Sequence, residues 1–439
     1  MTAWLLERAR LPHGVADDVL VHVEDGRFTR VTAGVSATEH PGTPRLAGLT
    51  LPGFANAHSH VFHRGLRGRT QTGAGSFWTW REQMYDLAGR LDPDSYHDLA
   101  VAAYAEMVAA GWTSVGEFHY LHHAPDGTAY PGHAMEEALV AAADEVGIRL
   151  ALLDTCYLSA GFGDPPAGVQ VRYSDGTVER WAERVTDLAD RLADRPGVRL
   201  GVAAHSVRAV PADALETVAR VAHQLEAVLH VHVSEQVAEN SDCLARHGTT
   251  PVGLLAEHGL LGPRSTLVHA THLTEADVAA VGASRSHVCF CPTTERDLGD
   301  GIGPSRALHA AGAVLTLGTD SHAVVDPFEE MRAVELDERL ATRRRGHWRA
   351  AELLDAGAAH RSLGFDDVGR IEVGAAADLV TVDLDSPRTA GTGGGEETVV
   401  FAATAADVTH VVVAGRVVHT GDTGAVGRRL AHVLGRIWA

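Results

Sequence analysis

A chain of 439 residues with 45% hydrophobic content can bury a large core and is longer than one ordinary domain of about 100–200 residues. Its formal charge of −20, from 57 acidic and 37 basic residues, argues against nucleic acids and anionic membranes as partners. No run approaches the ~18 consecutive apolar residues of a membrane span, and the start lacks the basic-then-apolar order of a signal peptide, so we expect a cytoplasmic protein.

The first and last segments of the chain carry the pattern of short β-strands. Residues 18–35 alternate apolar and polar side chains around an Asp-Gly turn, and residues 371–383 and 408–420 do so around glycine turns. We therefore predict that residues 1–48 and 368–439 pair into one small composite β-sandwich domain.

Between these segments, short apolar runs alternate with amphipathic or alanine-rich stretches of helical character. The sequence contains eight such runs, at 49–56, 113–118, 149–154, 199–204, 228–233, 266–270, 287–291 and 314–318. Eight strand–helix units predict a (β/α)8 TIM barrel, which would form the catalytic domain over residues 49–367. In such a barrel the catalytic residues lie at the C-terminal ends of the strands.

Polar side chains follow most of these runs at the predicted strand ends. They include His58 and His60 after the first run, Glu117 and Tyr120 after the second, His205 and Arg208 after the fourth, His232 and Glu235 after the fifth, His269 after the sixth and Asp320 after the eighth. Side-chain direction along a strand has period 2, so both imidazoles of His58-Ser-His60 point to the same side and can converge on one ion.

The H-x-H pair, a third histidine from the fifth run and the carboxylate of Asp320 after the eighth run would form a compact metal site of nitrogen and oxygen ligands. Imidazole and carboxylate suit Zn²⁺ or Fe²⁺, and the lack of thiolates in this set argues against a structural zinc site. The chain has 27 histidines, so a single histidine is more often a surface or core residue than a ligand. The H-x-H pair is stronger evidence for a metal site because a matching histidine and an aspartate lie at later strand ends.

Two residue types narrow the chemistry further. The chain has no lysine, and all 37 of its basic residues are arginine. A Schiff base, a catalytic lysine and a carbamylated lysine bridging two metals are therefore excluded, which favours one metal ion per chain. The four cysteines form no C-x-x-C pair, and we predict that they are buried core residues.

The metal would lower the pKa of bound water toward about 7, so that hydroxide can attack the substrate at neutral pH. Asp320 could both bind the metal and accept the proton of that water. Glu235, three residues after His232, is placed to pass a proton to a substrate nitrogen. His269 is placed to stabilise the carbon centre under attack.

The order of these residues resembles the mononuclear members of the amidohydrolase superfamily, which include adenosine, cytosine and guanine deaminases. A narrower resemblance, to the formimidoylglutamate deiminase group, extends from about residue 49 to 330. It is carried by the segments LPGFANAHSHVFHRGLRG, SFWTWREQMY, GWTSVGEFHYLHH, GVAAHSVRAV, LHVHVSEQ, LVHATHL, CPTTERDLGDGI and GTDSH. FWTWR and EFHYLHH are typical of this group, whereas H-x-H and TDSH occur in many deaminases.

The narrower resemblance implies zinc-dependent deimination of N-formimino-L-glutamate to N-formyl-L-glutamate and ammonia, a step of histidine degradation in which hydroxide attacks the formimino carbon. It implies one zinc ion per chain and a homodimer. It assigns zinc binding to His58, His60, His232 and Asp320, and catalysis to Glu235, His269 and Asp320.

The resemblance also places His63, Arg81, Tyr120, His205 and Arg208 in contact with the substrate. A guanidinium group matches a carboxylate bidentately, so two arginines beside a metal suit a dicarboxylate. His63 stands where this group usually has glutamine, and a neutral imidazole donates and accepts hydrogen bonds with a different reach.

Two alternatives to this function remain at this point. His63 leaves room for a deaminase of another ligand, such as a guanine-like ring or a different formimino or guanidino acid. A metal-binding barrel with a structural or regulatory role would keep the same fold without turnover. The sequence also leaves open zinc versus iron, the oligomeric state and the roles of His119, His230, His272 and His322.

Overall fold

The computed structural model describes residues 2–71 and 77–439, without the side chains of Phe77 and Trp78. Eight parallel strands close into a barrel in chain order, and the last of them pairs with the first. They are β5 (Phe54–Ser59), β6 (Trp112–His119), β7 (Arg149–Cys156), β8 (Val198–Ala204), β9 (Leu229–Val233), β10 (Ser265–His269), β11 (His287–Phe290) and β12 (Val314–Leu317). The predicted (β/α)8 barrel is confirmed, and each of the eight apolar runs contributes to one barrel strand.

Helices follow the barrel strands and cover the outside of the barrel. Their bounds are α1 (Phe77–Arg90), α2 (Pro93–Ala110), α3 (Ala134–Val146), α4 (Val178–Leu192), α5 (Ala212–Gln224), α6 (Val237–His247), α7 (Pro251–Glu257), α8 (Glu275–Ser284), α9 (Pro292–Leu298), α10 (Ser305–Ala311), α11 (Pro327–Thr342), α12 (Ala350–Gly357), α13 (Glu396–Phe401) and α14 (Gly424–Ile437). Short 3₁₀ helices lie at Ala37–Glu39, Val61–Leu66, Pro131–His133, Gly168–Tyr173, His360–Leu363 and Ala405–Asp407.

Local sequence explains where these helices begin and end, as α2 illustrates. Asp92 accepts a hydrogen bond from the backbone N–H of Ser95, and the Ser95 hydroxyl oxygen accepts one from the backbone N–H of Asp92. Pro93 occupies the first turn, where no backbone donor is needed. Gly111 ends the helix with φ 105°, a left-handed conformation that a side chain would strain.

The two ends of the chain build one mixed sheet of seven strands, in which the three strands from the end of the chain lie on one side of the fourth strand and the first three strands lie on its other side. Its strands are β1 (Thr2–Leu11), β2 (Gly14–Glu24), β3 (Arg27–Thr32), β4 (Arg45–Pro52), β13 (Leu379–Val382), β14 (Val408–Val413) and β15 (Arg416–His419). This sheet has its own apolar cluster, centred on residues such as Trp4, Phe28 and Leu379.

The small sheet and the barrel are joined directly through the strand that carries His58. β4 lies in the small sheet, β5 begins after Gly53, and β4 crosses the predicted boundary between residues 48 and 49. A Cβ atom on Gly53 would lie 2.2 Å from the Thr113 hydroxyl oxygen, so this junction requires glycine. Arg149 of β7 also pairs with Asp378 at 2.7 Å, which ties the barrel to β13. No helix within the described residues is long and apolar enough to cross a membrane.

Candidate metal centre and active site

Four buried side chains of the predicted metal set meet at the C-terminal mouth of the barrel. His58 and His60 lie at the end of β5, His232 lies in β9, and Asp320 follows β12. The Nε2 atom of His232 lies 3.0 Å from that of His58 and 3.3 Å from that of His60. Asp320 Oδ1 lies 3.4 Å from the Nε2 atoms of both His58 and His60. We call these four residues the mouth cluster.

Backbone carbonyls fix the tautomers of two of these imidazoles. The Nδ1 atoms of His60 and His232 each lie 2.9 Å from a carbonyl oxygen, that of Phe118 and that of His205. Because a carbonyl only accepts, each Nδ1 carries the proton and each Nε2 presents a lone pair. Burial lowers the pKa of His60 to about 3 and the pKa of His232 well below its usual value, so both rings are neutral.

Two lone pairs 3.3 Å apart repel unless a cation lies between them, and the Asp320 carboxylate adds negative charge to the same space. Four tetrahedral ligand atoms about 2.0–2.1 Å from one zinc ion would lie about 3.4 Å apart. The measured separations of 3.0–3.4 Å therefore fit one divalent cation held by three imidazoles and a carboxylate.

The backbone beside the mouth cluster is held in a conformation that side chains rarely adopt. Among non-glycine residues, Ser234, His269, Asp320 and His322 have φ values of 52°, 68°, 42° and 59°. The backbone N–H of Asp320 donates to the His58 carbonyl at 3.0 Å, and that of His60 donates to the Asp320 carbonyl at 3.1 Å. Such strain costs on the order of 1–3 kcal/mol per residue and is concentrated at functional sites.

The two other predicted catalytic residues border the mouth cluster. His269 Nε2 lies 3.7 Å from Asp320 Oδ2 and 3.9 Å from Glu235 Oε1, and its Nδ1 lies 3.3 Å from Glu295 Oε1. Burial alone would lower the pKa of His269, but the carboxylates of Glu235, Glu295 and Asp320 raise it well above its usual value. A protonated imidazole here is suited to stabilising negative charge.

The predicted substrate residues surround one cavity that opens above the mouth cluster, with about 720 Å³ of empty space including its open side. Its walls include ten of the eleven predicted site residues, namely His60, His63, Arg81, Tyr120, His205, Arg208, His232, Glu235, His269 and Asp320. His58 is fully buried behind them. The structure therefore brings the whole predicted set together.

Arg208 lies beside the predicted proton donor, Glu235. Its Nη2 atom lies 3.6 Å from Glu235 Oε2, and its Nε atom lies 3.3 Å from Glu239 Oε2. Burial would lower the pKa of Arg208, but Glu239 and Glu235 raise it, so the guanidinium stays charged. A charged and largely buried guanidinium beside a metal-type cluster can bind an anionic part of a ligand.

His63 and Tyr120 form a pair in the cavity wall. His63 Nε2 lies 3.0 Å from the Tyr120 hydroxyl oxygen, and the His63 ring lies 4.6 Å from the His60 ring. Both side chains are buried. His205 completes this wall, with its ring 5.5 Å from Tyr120 and 5.2 Å from His232.

The structure also gives places to the histidines whose roles the sequence leaves open. His322 Nε2 lies 2.9 Å from the Ser59 hydroxyl, between the two H-x-H imidazoles along the chain. The Ser59 hydroxyl also donates to Glu117 at 2.7 Å, and burial raises the pKa of Glu117 to about 8. His230 bonds to the Ser362 carbonyl at 2.8 Å, and the His272 carbonyl accepts a bond from Asn240. His322 thus stabilises β5 at Ser59, between His58 and His60. The hydrogen bond of His230 instead connects β9 to the 3₁₀ helix His360–Leu363.

A second buried polar group, which we call the Arg184 network, lies between β6, β7 and the covering helices. His119 and His122 contact Glu136 Oε1 at 3.3 Å and 2.8 Å. Arg184 binds both oxygens of Asp154 at 2.6 Å and 2.9 Å, and Glu136 at 3.2 Å. His119 therefore faces the helices. The segment EFHYLHH contributes His119 and His122 to the Arg184 network and Tyr120 to the cavity wall.

Sequence reasoning missed several residues of the cavity wall. Tyr85, Tyr157 and Tyr173 line the cavity beside the predicted arginines, and Gln170 lies behind them. Tyr85 belongs to the segment SFWTWREQMY, which was a usable signal, whereas Gln170 has no motif of its own. All four cysteines are buried as predicted, and Cys291 also groups with His269 and Asp320.

Comparison with known proteins agrees with this architecture and site. Residues 49–418 match the family model described as "Amidohydrolase family". The fold and the clustered imidazoles and carboxylate define a metal-dependent hydrolase that acts on C–N bonds. The chain belongs to the amidohydrolase family.

One curated relative and two solved structures are similar to the chain over its whole length. It is 37% identical over 459 aligned residues to a formimidoylglutamate deiminase of Pseudomonas aeruginosa, covering 100% of both chains. An amidohydrolase from Brucella melitensis superposes with a TM-score of 0.92 at 32% identity and covers 100% of both chains. An adenosine deaminase from Xanthomonas campestris with bound zinc superposes with a TM-score of 0.86 at 25% identity, covering 100% of this chain and 98% of that one.

Proposed function

We propose that the protein hydrolyses N-formimino-L-glutamate to N-formyl-L-glutamate and ammonia, a step in the breakdown of histidine. One observation carries the proposal. The charged Arg208 guanidinium and the mouth cluster share one cavity, which Glu235 also lines, 3.6 Å from Arg208. The full-length similarity to a formimidoylglutamate deiminase supports the same substrate.

In this proposal one zinc ion per chain is held by His58, His60, His232 and Asp320. When bound, zinc would supply the nucleophile by lowering the pKa of a water ligand toward about 7. The absence of lysine from the chain excludes a carbamylated lysine bridge, which favours a single ion. Elemental analysis of the purified protein should find one equivalent, and two equivalents would contradict this part of the proposal.

The chain's own residues would then move the protons. Asp320 accepts the proton released when water adds to the formimino carbon, and Glu235 delivers a proton to the departing nitrogen. His269, whose Nε2 lies 3.7 Å from Asp320 and 3.9 Å from Glu235, stabilises the charge that develops at the reacting carbon. The C=N double bond of the formimino group is replaced by a C=O double bond, both protons of the water end on the nitrogen that leaves as ammonia, and nothing is oxidised or reduced.

The two carboxylates of the substrate would be recognised by arginine. Arg208 lies close to Glu235 and suits the carboxylate nearer to the reacting carbon, whereas Arg81 suits the one farther away. Tyr120, His205 and His63 would contact the part of the substrate between them. This arrangement gives a dicarboxylate a cation for each end.

The test is an ammonia-release panel with the zinc-loaded protein and a metal-free control. N-formimino-L-glutamate should give the highest kcat/KM, above formimino-glycine, guanidino acids and guanine. No ammonia above the metal-free control would refute the proposal. Guanine stays in the panel because His63 stands where the formimidoylglutamate deiminase group usually has glutamine. A preference for this uncharged purine would favour a ring deaminase and would contradict a role of Arg208 in binding a carboxylate.

The assembly is part of the same proposal. We infer a homodimer that takes a small dicarboxylate as its substrate and binds neither nucleic acid nor membranes, in keeping with the charge of −20. Sedimentation velocity should give a particle of twice the 46.5 kDa chain mass. A monomer at micromolar concentration would overturn the dimer without affecting the proposed reaction.

A further inference from the structure

The cavity has a second polar end, beyond the mouth cluster. Tyr85 and Tyr157 line it together with Arg81, whose guanidinium carbon lies 5.6 Å from the centre of the Tyr85 ring. The Tyr157 ring lies 4.9 Å from His205, which itself lies 5.2 Å from His232. The Tyr157 phenol is thus separated from the mouth cluster by the width of an imidazole ring.

Gln170 joins these two phenols from behind the wall. Its amide nitrogen lies 2.8 Å from the Tyr157 hydroxyl oxygen and 3.1 Å from the Tyr85 hydroxyl oxygen. Its amide oxygen accepts a hydrogen bond from the backbone N–H of Ala167 at 3.3 Å. This backbone donor fixes the orientation of the amide, because a flipped amide would place two donors against each other.

The direction of these hydrogen bonds decides what the cavity offers to a ligand. The amide nitrogen of Gln170 can only donate, so both phenol oxygens act as acceptors toward it. Among the side chains of residues 2–71 and 79–439, neither hydroxyl has another hydrogen-bond partner. Burial raises the pKa of Tyr157, so this phenol keeps its proton. Each hydroxyl proton is therefore available to an acceptor inside the cavity.

We propose that Gln170 is a positioning residue that sets Tyr85 and Tyr157 as paired hydrogen-bond donors for the substrate carboxylate farther from the formimino group. The proposal rests on the proposed function for the identity of that carboxylate. Two neutral donors next to the Arg81 guanidinium match the two oxygens of a carboxylate. Gln170 itself does not touch the substrate and acts through the two phenols.

Gln170→Glu is the sharpest single test, because it keeps the side-chain shape and the acceptor for Ala167. A carboxylate cannot donate, so both phenol protons turn toward residue 170 and the cavity loses its donors. We expect KM for N-formimino-L-glutamate to rise by about 100-fold, the equivalent of two weakened charge-assisted hydrogen bonds, while kcat changes less than about threefold. An unchanged KM would overturn the proposal.

Two controls separate this effect from added charge and from misfolding. Gln224→Glu adds the same charge on the exposed surface of α5, where Gln224 accepts a bond from Arg220, and should leave KM unchanged. Gln170→Met removes the hydrogen bonds without adding charge and should raise KM by about 10-fold. Zinc content and thermal midpoint should stay near the parent values in all three proteins.

A double-mutant cycle tests whether Gln170 acts through the phenols. In a protein that carries Tyr85→Phe and Tyr157→Phe, Gln170→Glu should have little further effect on KM. A full 100-fold effect in that background would show that the new charge acts directly, and the proposal would fail.

Binding of the dicarboxylate product separates this proposal from the proposed function. Gln170→Glu should weaken binding of N-formyl-L-glutamate in calorimetry, but not that of N-formyl-L-norvaline, which lacks the distant carboxylate. If the parent protein releases no ammonia yet shows this difference, the proposed function fails and the role of Gln170 stands. If the parent protein is active and both ligands are affected equally, the role of Gln170 fails alone.

Discussion

The mouth cluster and the Arg184 network contain the same kinds of groups but are satisfied in different ways. In each, histidine nitrogens and carboxylate oxygens lie within 4.8 Å of one another. In the Arg184 network a guanidinium supplies the positive charge, with hydrogen bonds of 2.6–3.2 Å to Asp154, Asp175 and Glu136. In the mouth cluster the described residues place no arginine among the four ligand atoms.

The hydrogen bonds of the imidazoles show the same difference. His122 uses both ring nitrogens, one toward Glu136 and one toward the Thr155 carbonyl, and His119 uses both toward Glu136 and Tyr96. His60 and His232 instead use one nitrogen for a backbone carbonyl and turn the other toward a shared centre. Proximity of ligand atoms is therefore a weak sign of a metal site, and the direction of the lone pairs is a stronger one.

The largest effect that would test this contrast is expected from Asp320→Asn. The substitution removes a ligand charge and the proton acceptor, so turnover of N-formimino-L-glutamate should fall by about 10³-fold or more. Ammonia release at saturating substrate measures it, with the exposed Asp213→Asn as a matched control. Parent-like turnover would show that the mouth cluster is structural and that catalysis does not depend on it.

Arg184→Met should destabilise the Arg184 network without affecting the mouth cluster. It leaves Asp154, Asp175 and Glu136 buried without their cation, so the free energy of unfolding should fall by about 3–5 kcal/mol. Urea unfolding measures this loss, and Arg429→Met, in an exposed pair with Glu145, should cost about 0–1 kcal/mol. Zinc per folded chain should not change, and its loss would mean that the two regions are not independent.

Arg208→Met tests whether Arg208 contributes to substrate binding or to metal binding. Loss of a charged partner for one carboxylate should raise KM by about 100-fold while one zinc per chain remains bound. Steady-state kinetics and elemental analysis of the same sample decide the outcome. Loss of zinc together with activity would assign Arg208 to the support of the mouth cluster.

The smallest expected effect is a change in the pH dependence of stability in Asp175→Asn. Burial alone would raise the pKa of Asp175, but the hydrogen bond from His123 and the Arg184 guanidinium hold it well below its usual range. A lowered pKa stabilises the folded state above the unfolded value of about 3.9, and that stabilisation is lost as the pH falls below it. Between pH 6 and pH 3 the parent protein should therefore lose more stability than Asp175→Asn does in urea unfolding. A steeper loss in the variant would contradict the sign of the shift.

The sequence predicted the barrel and the mouth cluster because both follow from local periodicity. Period-2 alternation placed His58 and His60 on one side of a strand, and the strand ends supplied His232 and Asp320. The substrate residues were predicted from the resemblance. Tyr120, His205 and Arg208 line the cavity because strand ends converge at one face of a barrel, whereas His63 and Arg81 line it from a 3₁₀ helix and from α1. The catalytic and substrate roles given to these residues stay predictions.

What the sequence did not predict depends on contacts between distant segments. Gln170 meets Tyr85 across 85 residues and Tyr157 across 13, and no local pattern indicates either contact. Arg184 lies on α4, where a charged residue is predicted to be exposed to solvent, yet it pairs with Asp154 inside the fold. His230 shares a strand face with His232, but its partner is Ser362, 132 residues away.

The link between β4 and β5 has a consequence for the order in which the molecule can assemble. Thr50 of β4 and Thr381 of β13 are 331 residues apart in sequence, and their hydroxyl oxygens lie 2.9 Å apart in the small sheet. Contacts of such long range form late, because the intervening chain must first be brought together. The strand that presents His58 and His60 is made early in synthesis, but the sheet that anchors its start is completed only by the last quarter of the chain. A nascent chain can thus display the H-x-H pair long before it holds that pair at a fixed distance from His232 and Asp320.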